Sequence, residues 1–88
     1  SQEKYIWFLY IWFFNIWLTS YEQVKSFVDL AAKQPFDIHV GNERQSINGK
    51  DFMGMFTLDH SRPLKVRVSC SAEEYGRLLR KADRFLDK

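Results

Sequence analysis

The side chains that we weigh for nucleophilic, phosphoryl-transfer or metal-binding chemistry are those of Ser20, His39, His60 and Cys70. Such chemistry needs partners at set spacings, as in the paired ligands of a zinc site or the base beside a nucleophile. Neither histidine has such a partner, and Cys70 is the single cysteine of the chain. We therefore expect no enzyme, no metal site and no cofactor. Both histidines are expected on the surface, and Cys70 is expected to pack as a small residue at the end of a strand.

The element that would position Ser20 is a helix. Ser20 and Gln23 form the pattern of a capping box, and Pro35 forbids the helix from continuing. The apolar residues between them recur at helical spacing: Val24, Phe27, Val28 and Ala31. This spacing predicts a helix over residues 21–33.

A β-hairpin is predicted to follow this helix. Apolar and polar residues alternate over residues 36–40, and Gly41-Asn42 suits a tight turn into a second strand at residues 44–47. Asp51 then has the position of an N-cap before a short helix. The apolar residues of that short helix are Phe52, Met53, Met55 and Phe56.

The last part of the chain predicts one strand and one long amphipathic helix. Residues 64–68 alternate as a strand with one wet face, and Ser71 with Glu74 forms a second capping box. The apolar stripe that follows consists of Tyr75, Leu78, Leu79, Ala82, Phe85 and Leu86. With a first strand at residues 14–18, the order β-α-β-β-α-β-α predicts an α+β open-faced β-sandwich. Its helices would cover one face of a four-stranded antiparallel sheet.

Two stretches of the sequence carry a family resemblance. Ser26-Phe27-Val28, followed by Ala31-Ala32-Lys33 and Phe36-Asp37-Ile38, is similar to the first helix and second strand of the histidine phosphocarrier protein family, HPr, of the sugar phosphotransferase system. Residues 48–58, with the sequence NGKDFMGMFTL, resemble the segment of that family that holds a regulatory serine and the helix after it. The resemblance covers about residues 14–88, which we interpret as an HPr-like domain.

The resemblance implies that the active-site signature of the family is absent. The phosphorylated histidine corresponds to Ser20, the arginine that helps hold the phosphate to Glu22, and the following proline to Gln23. A hydroxyl cannot serve as a high-energy phosphoramidate carrier, and a carboxylate in the first turn of a helix repels phosphate. We therefore expect a variant that carries no phosphoryl group. The alternative is a functional carrier that uses Ser20 or a displaced histidine such as His60.

The resemblance also implies roles for the short helix. The regulatory serine corresponds to Asp51, which either only caps the helix, for about 1 kcal/mol, or imitates a phosphorylated serine. The apolar patch that contacts enzyme I and regulatory partners corresponds to Phe52, Met53 and Phe56. These residues cannot all face inward on so short a helix. We expect a regulatory, protein-binding module of the phosphotransferase system; the alternative is that the three residues only close the edge of the core.

Residues 1–13 form an aromatic N-terminal extension or an extended first strand, and eight aromatic residues lie between positions 5 and 17. Strand alternation places apolar side chains on both faces, and an open-faced sandwich covers only one of them. We therefore expect a homo-oligomer that buries Trp7, Leu9, Ile11, Phe13 and Trp17. The alternatives are that the segment folds back on the domain, that it drives assembly of the protein, or that it lies on a membrane surface; of these, membrane contact is not expected.

The bulk composition adds three expectations. At 88 residues the chain has room for one hydrophobic core. A net charge of +2 is too small to predict nucleic-acid binding, and we interpret the basic face of the last helix as solvated. That face consists of Arg77, Arg80, Lys81 and Arg84. The single cysteine fits a reducing compartment, so we expect a cytoplasmic protein.

Overall fold

The computed structural model describes residues 9–88 of the chain. Its elements are β1 (Leu9–Ile16), α1 (Tyr21–Ala32), β2 (Ile38–Gly41), β3 (Ser46–Asn48), α2 (Phe52–Met55), β4 (Leu64–Ser71) and α3 (Ala72–Lys81), followed by a 3₁₀ turn at Asp83–Phe85. This order confirms the predicted fold class, an α+β open-faced sandwich with a four-stranded antiparallel sheet.

The four strands lie in the order β1-β4-β2-β3, and each neighbouring pair is antiparallel. β4 therefore lies inside the sheet, where Val66 pairs with Phe14 of β1 and with Val40 of β2. β1 and β3 form the two edges. Paired residues point to the same face of a sheet, so the register assigns each strand residue to the helix-covered face or to the open face.

The core lies between the sheet and the helices. Alternate residues of β4 are buried, namely Leu64, Val66, Val68 and Cys70. α1 contributes its own buried stripe, Val24, Phe27, Val28 and Ala31, which is the stripe that the helical spacing predicts. Phe27 meets Phe85 edge to face, with 5.7 Å between ring centroids. Burying one such large side chain contributes about 1.5–3 kcal/mol, and the buried residues of the sheet and helices form one hydrophobic cluster.

Both long helices begin where their caps predict. The Ser71 hydroxyl accepts the N–H of Glu74, and the Glu74 carboxylate accepts the N–H of Ser71, which completes the capping box. At the start of α1 the Ser20 hydroxyl accepts the N–H of Gln23. The Gln23 side chain reaches back one residue further than predicted and accepts the N–H of Thr19, 2.8 Å away.

The hairpin differs from its prediction. The connection spans residues 42–45 and is held by Asn42. The side-chain oxygen of Asn42 accepts the N–H groups of Arg44 and Gln45, and the backbone N–H of Asn42 donates to the Gln45 carbonyl. These bonds postpone pairing, so β3 begins at Ser46. A β-carbon on Gly41 would overlap the Gln45 carbonyl oxygen, so the loop requires glycine at that position.

The end of the chain also differs from its prediction. The apolar stripe predicts a helix through Leu86, but α3 ends at Lys81 and a 3₁₀ turn follows. The tighter turn directs Phe85 into the core. The chain then extends along the outer edge of β1, where Leu86 forms an antiparallel bridge with Ile16. No helix within residues 9–88 is long and apolar enough to cross a membrane.

Candidate functional site

The start of α1 is the position that the family resemblance assigns to phosphoryl transfer. The Ser20 hydroxyl lies 3.2 Å from the N–H of Gln23 and accepts it as a cap. No hydrogen bond joins this hydroxyl to a histidine or carboxylate in the part of the chain that the structure describes, so no base activates it there. Glu22 lies exposed in the first helical turn, where its charge opposes an incoming anion.

Asp51 positions α2. Its carboxylate accepts the N–H of Gly54, 3.0 Å away, and so caps the short helix as the sequence predicts. A β-carbon on Gly54 would come within 2.5 Å of the second carboxylate oxygen of Asp51. The Asp51 carboxylate therefore lies directly over the start of α2, and the absence of a β-carbon on Gly54 leaves room for it there. Whether this charge also imitates a phosphorylated serine stays a prediction.

An aromatic cluster joins the start of α1 to α2. The ring of Tyr21 stacks on that of Phe56, with 5.4 Å between centroids and 25° between planes. Phe52 meets both rings edge-on, at 6.1 Å from Tyr21 and 5.1 Å from Phe56. Such offset and edge-to-face pairs are worth about 0.5–1.5 kcal/mol beyond their burial. The cluster therefore fixes the position of α2 against the first turn of α1.

Much of this cluster and its neighbour Met53 remains open to water. Met53 is 73% exposed, Tyr21 57% and Phe56 38%, while Phe52 is half-buried. Met55 is fully buried and anchors α2 to the core. We name the surface formed by Tyr21, Phe52, Met53 and Phe56 the α1–α2 patch. Its three α2 residues are those that the sequence singles out as partner-binding.

Tyr21 is the member of the patch that sequence reasoning missed. It occupies the first position of α1, outside the buried stripe of that helix. Its aromatic side chain at a helix start, one residue before a carboxylate, was the available signal. Only the packing of α2 against α1 reveals that Tyr21 stacks on Phe56.

His60, the alternative carrier, has neither ring nitrogen open to a phosphoryl donor. Its Nε2 lies 2.7 Å from the carbonyl oxygen of Met55, which can only accept, so Nε2 carries the proton. Its Nδ1 is buried without a hydrogen-bond partner. Both His60 and His39 are half-buried, so the expectation that they lie on the surface is only partly right.

Cys70 is a buried thiol on the helix-covered face of β4. It is 1% exposed, and burial, with a smaller contribution from the Glu74 carboxylate, raises its pKa to about 11. A thiol with so high a pKa is almost fully protonated at neutral pH and is a poor nucleophile or metal ligand. Within residues 9–88, no three or more metal-binding side chains are gathered in one place.

The residues singled out for oligomerisation lie mainly along β1. Leu9, Ile11 and Phe13 point to the open face of the sheet and are 50%, 60% and 55% exposed. Trp17 is 44% exposed, and its indole N–H donates to the His60 carbonyl. Trp7 lies outside the described residues.

No protein-family model matches the sequence, and no curated protein matches it.

Proposed function

We propose that the chain is a cytoplasmic, HPr-type protein-binding module that carries no phosphoryl group and receives a protein partner on the α1–α2 patch. The observation that carries the proposal is the exposure of Met53 and Tyr21 beside a helix start whose hydroxyl serves as a cap. Aromatic residues and methionine are enriched in the cores of protein interfaces. The resemblance of residues 14–88 to the HPr family supports a regulatory role in sugar uptake.

The charges next to the patch support a partner with basic residues at its rim. Glu22 follows Tyr21 in α1, and Asp51 precedes Phe52 at the start of α2; both carboxylates are exposed. Complementary charge at the rim of an interface mainly sets the association rate and specificity. A partner surface with an apolar centre and flanking lysine or arginine would match this arrangement.

The state of the candidate acceptors supports the absence of phosphoryl transfer. The Ser20 hydroxyl accepts the N–H of Gln23 and so caps α1, whose first turn contains the Glu22 carboxylate. His60 has one nitrogen bonded to the Met55 carbonyl and the other buried. A phosphoryl acceptor needs a nucleophilic atom that is both exposed and activated. The Ser20 hydroxyl is exposed but has no activating base within residues 9–88, and the free ring nitrogen of His60 is buried.

Incubation with enzyme I and labelled phosphoenolpyruvate tests the phosphotransfer part of the proposal. We expect no label on the chain. An acid-labile label would place a phosphoryl group on a histidine and an acid-stable label would place one on a hydroxyl such as that of Ser20, and either would overturn the proposal. The triple variant Ser20→His, Glu22→Arg, Gln23→Pro is the positive control, because it restores the family signature at the start of α1. We expect this variant to become labelled; a folded triple variant that stays unlabelled would argue against an HPr-type docking surface.

Titration against purified enzyme I tests the patch. Met53→Glu places a charge at the most exposed residue of the patch, and we expect it to raise the dissociation constant about tenfold or more. Ser46→Glu is the matched control, since it adds the same charge at an exposed position of β3 on the open face. Equal affinities for both variants and the parent chain would contradict the assignment of the patch.

A further inference from the structure

The outer edge of β1 is only partly covered by the chain itself. The N–H of Trp17 donates to the Phe85 carbonyl at 2.8 Å, and the N–H of Asp87 donates to the Asn15 carbonyl at 3.0 Å. These bonds flank the bridge between Ile16 and Leu86, as a non-hydrogen-bonded antiparallel pair requires. The C-terminal tail thus occupies the edge next to Asn15 and Trp17 and does not extend to the start of the strand.

The same bonds show which main-chain groups point outward. Asn15 and Trp17 use theirs for the tail, so odd-numbered residues of β1 face the edge and even-numbered ones face β4. The hydroxyl of Tyr75 lies 3.4 Å from the Phe13 carbonyl. For the outward main-chain groups of Leu9 and Ile11, residues 9–88 provide no hydrogen-bond partner.

This open stretch lacks the features that normally protect an edge strand. Natural edges carry lysine, proline, a bulge or a covering segment. β1 has the sequence LYIWFFNI, with no charged residue, proline or glycine, and all its residues pair with β4 in one unbroken register. Leu9, Ile11 and Phe13 are each half-exposed or more. An uncharged edge of this kind is a template for another strand.

We propose that two copies of the chain pair through this edge, with β1 antiparallel to β1 of the second copy and the twofold axis at Ile11. Ile11 then pairs with its own counterpart, and Leu9 pairs with Phe13 of the second copy. The twofold axis repeats the Leu9–Phe13 pair, so there are three pairs in all. Each pair brings apolar side chains into contact on the open face and removes part of their surface from water. The two sheets become one, and the C-terminal tails limit the pairing at Asn15.

The charges of the open face favour this arrangement over face-to-face stacking. Lys65 and Arg67 of β4 lie on that face, and its strand positions include no carboxylate. Stacking a second copy over the face would take both cations out of water with no carboxylate at the strand positions to pair with them, and Lys65 would keep only the Phe13 ring, 5.7 Å away. Burying cations without such partners has a large cost in free energy. Pairing at the edge leaves both cations in water. The proposed dimer interface contains no residue of the α1–α2 patch, so both copies keep that patch free for a partner.

Sedimentation equilibrium of the full chain tests the proposal. We expect the parent chain to sediment at twice its mass of 10.6 kDa. Ile11→Lys places two lysines opposite each other at the axis and should raise the dimer dissociation constant about tenfold or more. Ser69→Lys is the matched control, because Ser69 pairs with Ile11 on the same face but lies one strand inside the edge. We expect Ser69→Lys to remain dimeric.

A charge exchange tests the register. Leu9→Glu and Phe13→Lys should each weaken the dimer, while the double variant should regain affinity because each glutamate meets a lysine of the second copy. A double variant weaker than both single variants would overturn the proposed register. Hydrogen exchange should show protection of the Ile11 amide that rises with protein concentration.

Three results would overturn the proposal. A parent chain that stays monomeric up to about 1 mM lacks a stable interface of this kind. If Ile11→Lys and Ser69→Lys raised the dimer dissociation constant equally, the two copies would stack through the open face instead. A monomeric chain that co-sediments with vesicles of anionic phospholipid would assign the edge and its apolar residues to a membrane surface.

Discussion

The ring of Tyr75 lies flat on the indole of Trp12, with 4.4 Å between ring centroids and 9° between their planes. The same indole donates its N–H to the Cys70 carbonyl at 3.0 Å. This stack joins α3 to the exposed half of β1 and covers the helix-side surface there. Tyr75 also meets the ring of Phe14, with 6.0 Å between centroids, so this one side chain of α3 packs against two aromatic residues of β1.

Tyr75→Ala should therefore loosen α3 from β1. Tyr75 is only half-buried, so we expect a loss of about 2 kcal/mol in the free energy of unfolding, below the roughly 3–5 kcal/mol typical for truncating a fully buried aromatic residue. Urea denaturation followed by tryptophan fluorescence measures it. Tyr75→Phe keeps the stack and removes only the long bond to Phe13, so a similar loss in that variant would contradict this account.

The capping box of α3 predicts that replacing Ser71 lowers the free energy of unfolding more than replacing a serine outside a cap. Ser71→Ala removes the acceptor for the Glu74 N–H and should cost about 1 kcal/mol in the free energy of unfolding. Ser61→Ala is the control, because Ser61 donates to Asp59 in an exposed loop. Thermal unfolding followed by circular dichroism compares them. Equal midpoints for the two variants would show that the cap contributes nothing.

Two glycine-to-alanine substitutions should have opposite signs. At Gly41 a β-carbon would overlap the Gln45 carbonyl, so Gly41→Ala should destabilise the fold by about 2 kcal/mol. At Gly76, within α3, the nearest atom to a new β-carbon is 3.6 Å away, so Gly76→Ala should stabilise it by about 0.5–1 kcal/mol. Chemical denaturation checks both. A stabilising Gly41→Ala would mean that the hairpin loop shifts freely.

The raised pKa of the Cys70 thiol predicts that stability falls in alkali. The folded thiol has a pKa of about 11 against an ordinary value of 9.0, so between these values the unfolded chain loses the proton first. The contribution is fully present below pH 9 and is lost as the pH rises through 11. Urea midpoints measured from pH 8 upward should decline. Burial also raises the pKa of Tyr75, which acts in the same direction.

Cys70→Ala separates the thiol from the other alkaline groups. We expect the variant to show a shallower decline of its urea midpoints over the same pH range, because Tyr75 remains. An unchanged slope would mean that the thiol does not contribute to the pH dependence.

Local signals in the sequence predicted most of the fold. The caps at Ser20, Asp51 and Ser71 were correctly identified, because each depends on a hydrogen bond to a residue three positions away. The alternation in β4 and the stripe in α1 depend only on burial of one face. Together these patterns are sufficient for the order of elements and the fold class.

Features that depend on distant contacts were not predicted. The tail leaves its helical pattern because Leu86 pairs with Ile16, a residue seventy positions earlier in the sequence. Tyr21 joins the α1–α2 patch only because α2 packs beside the first turn of α1. The three α2 residues of the patch follow from the short helix itself. Sequence periodicity contains no information about which distant element a side chain meets.

The protected state of Cys70 makes the protein convenient for spectroscopy. Cys70 is the sole cysteine of the chain, and burial keeps its thiol protonated near neutral pH. A cysteine introduced at Met53 would therefore react selectively with a maleimide dye or a nitroxide reagent while the native thiol stays intact. The wild-type background needs no prior replacement, so a single probe can report directly on contacts at the α1–α2 patch.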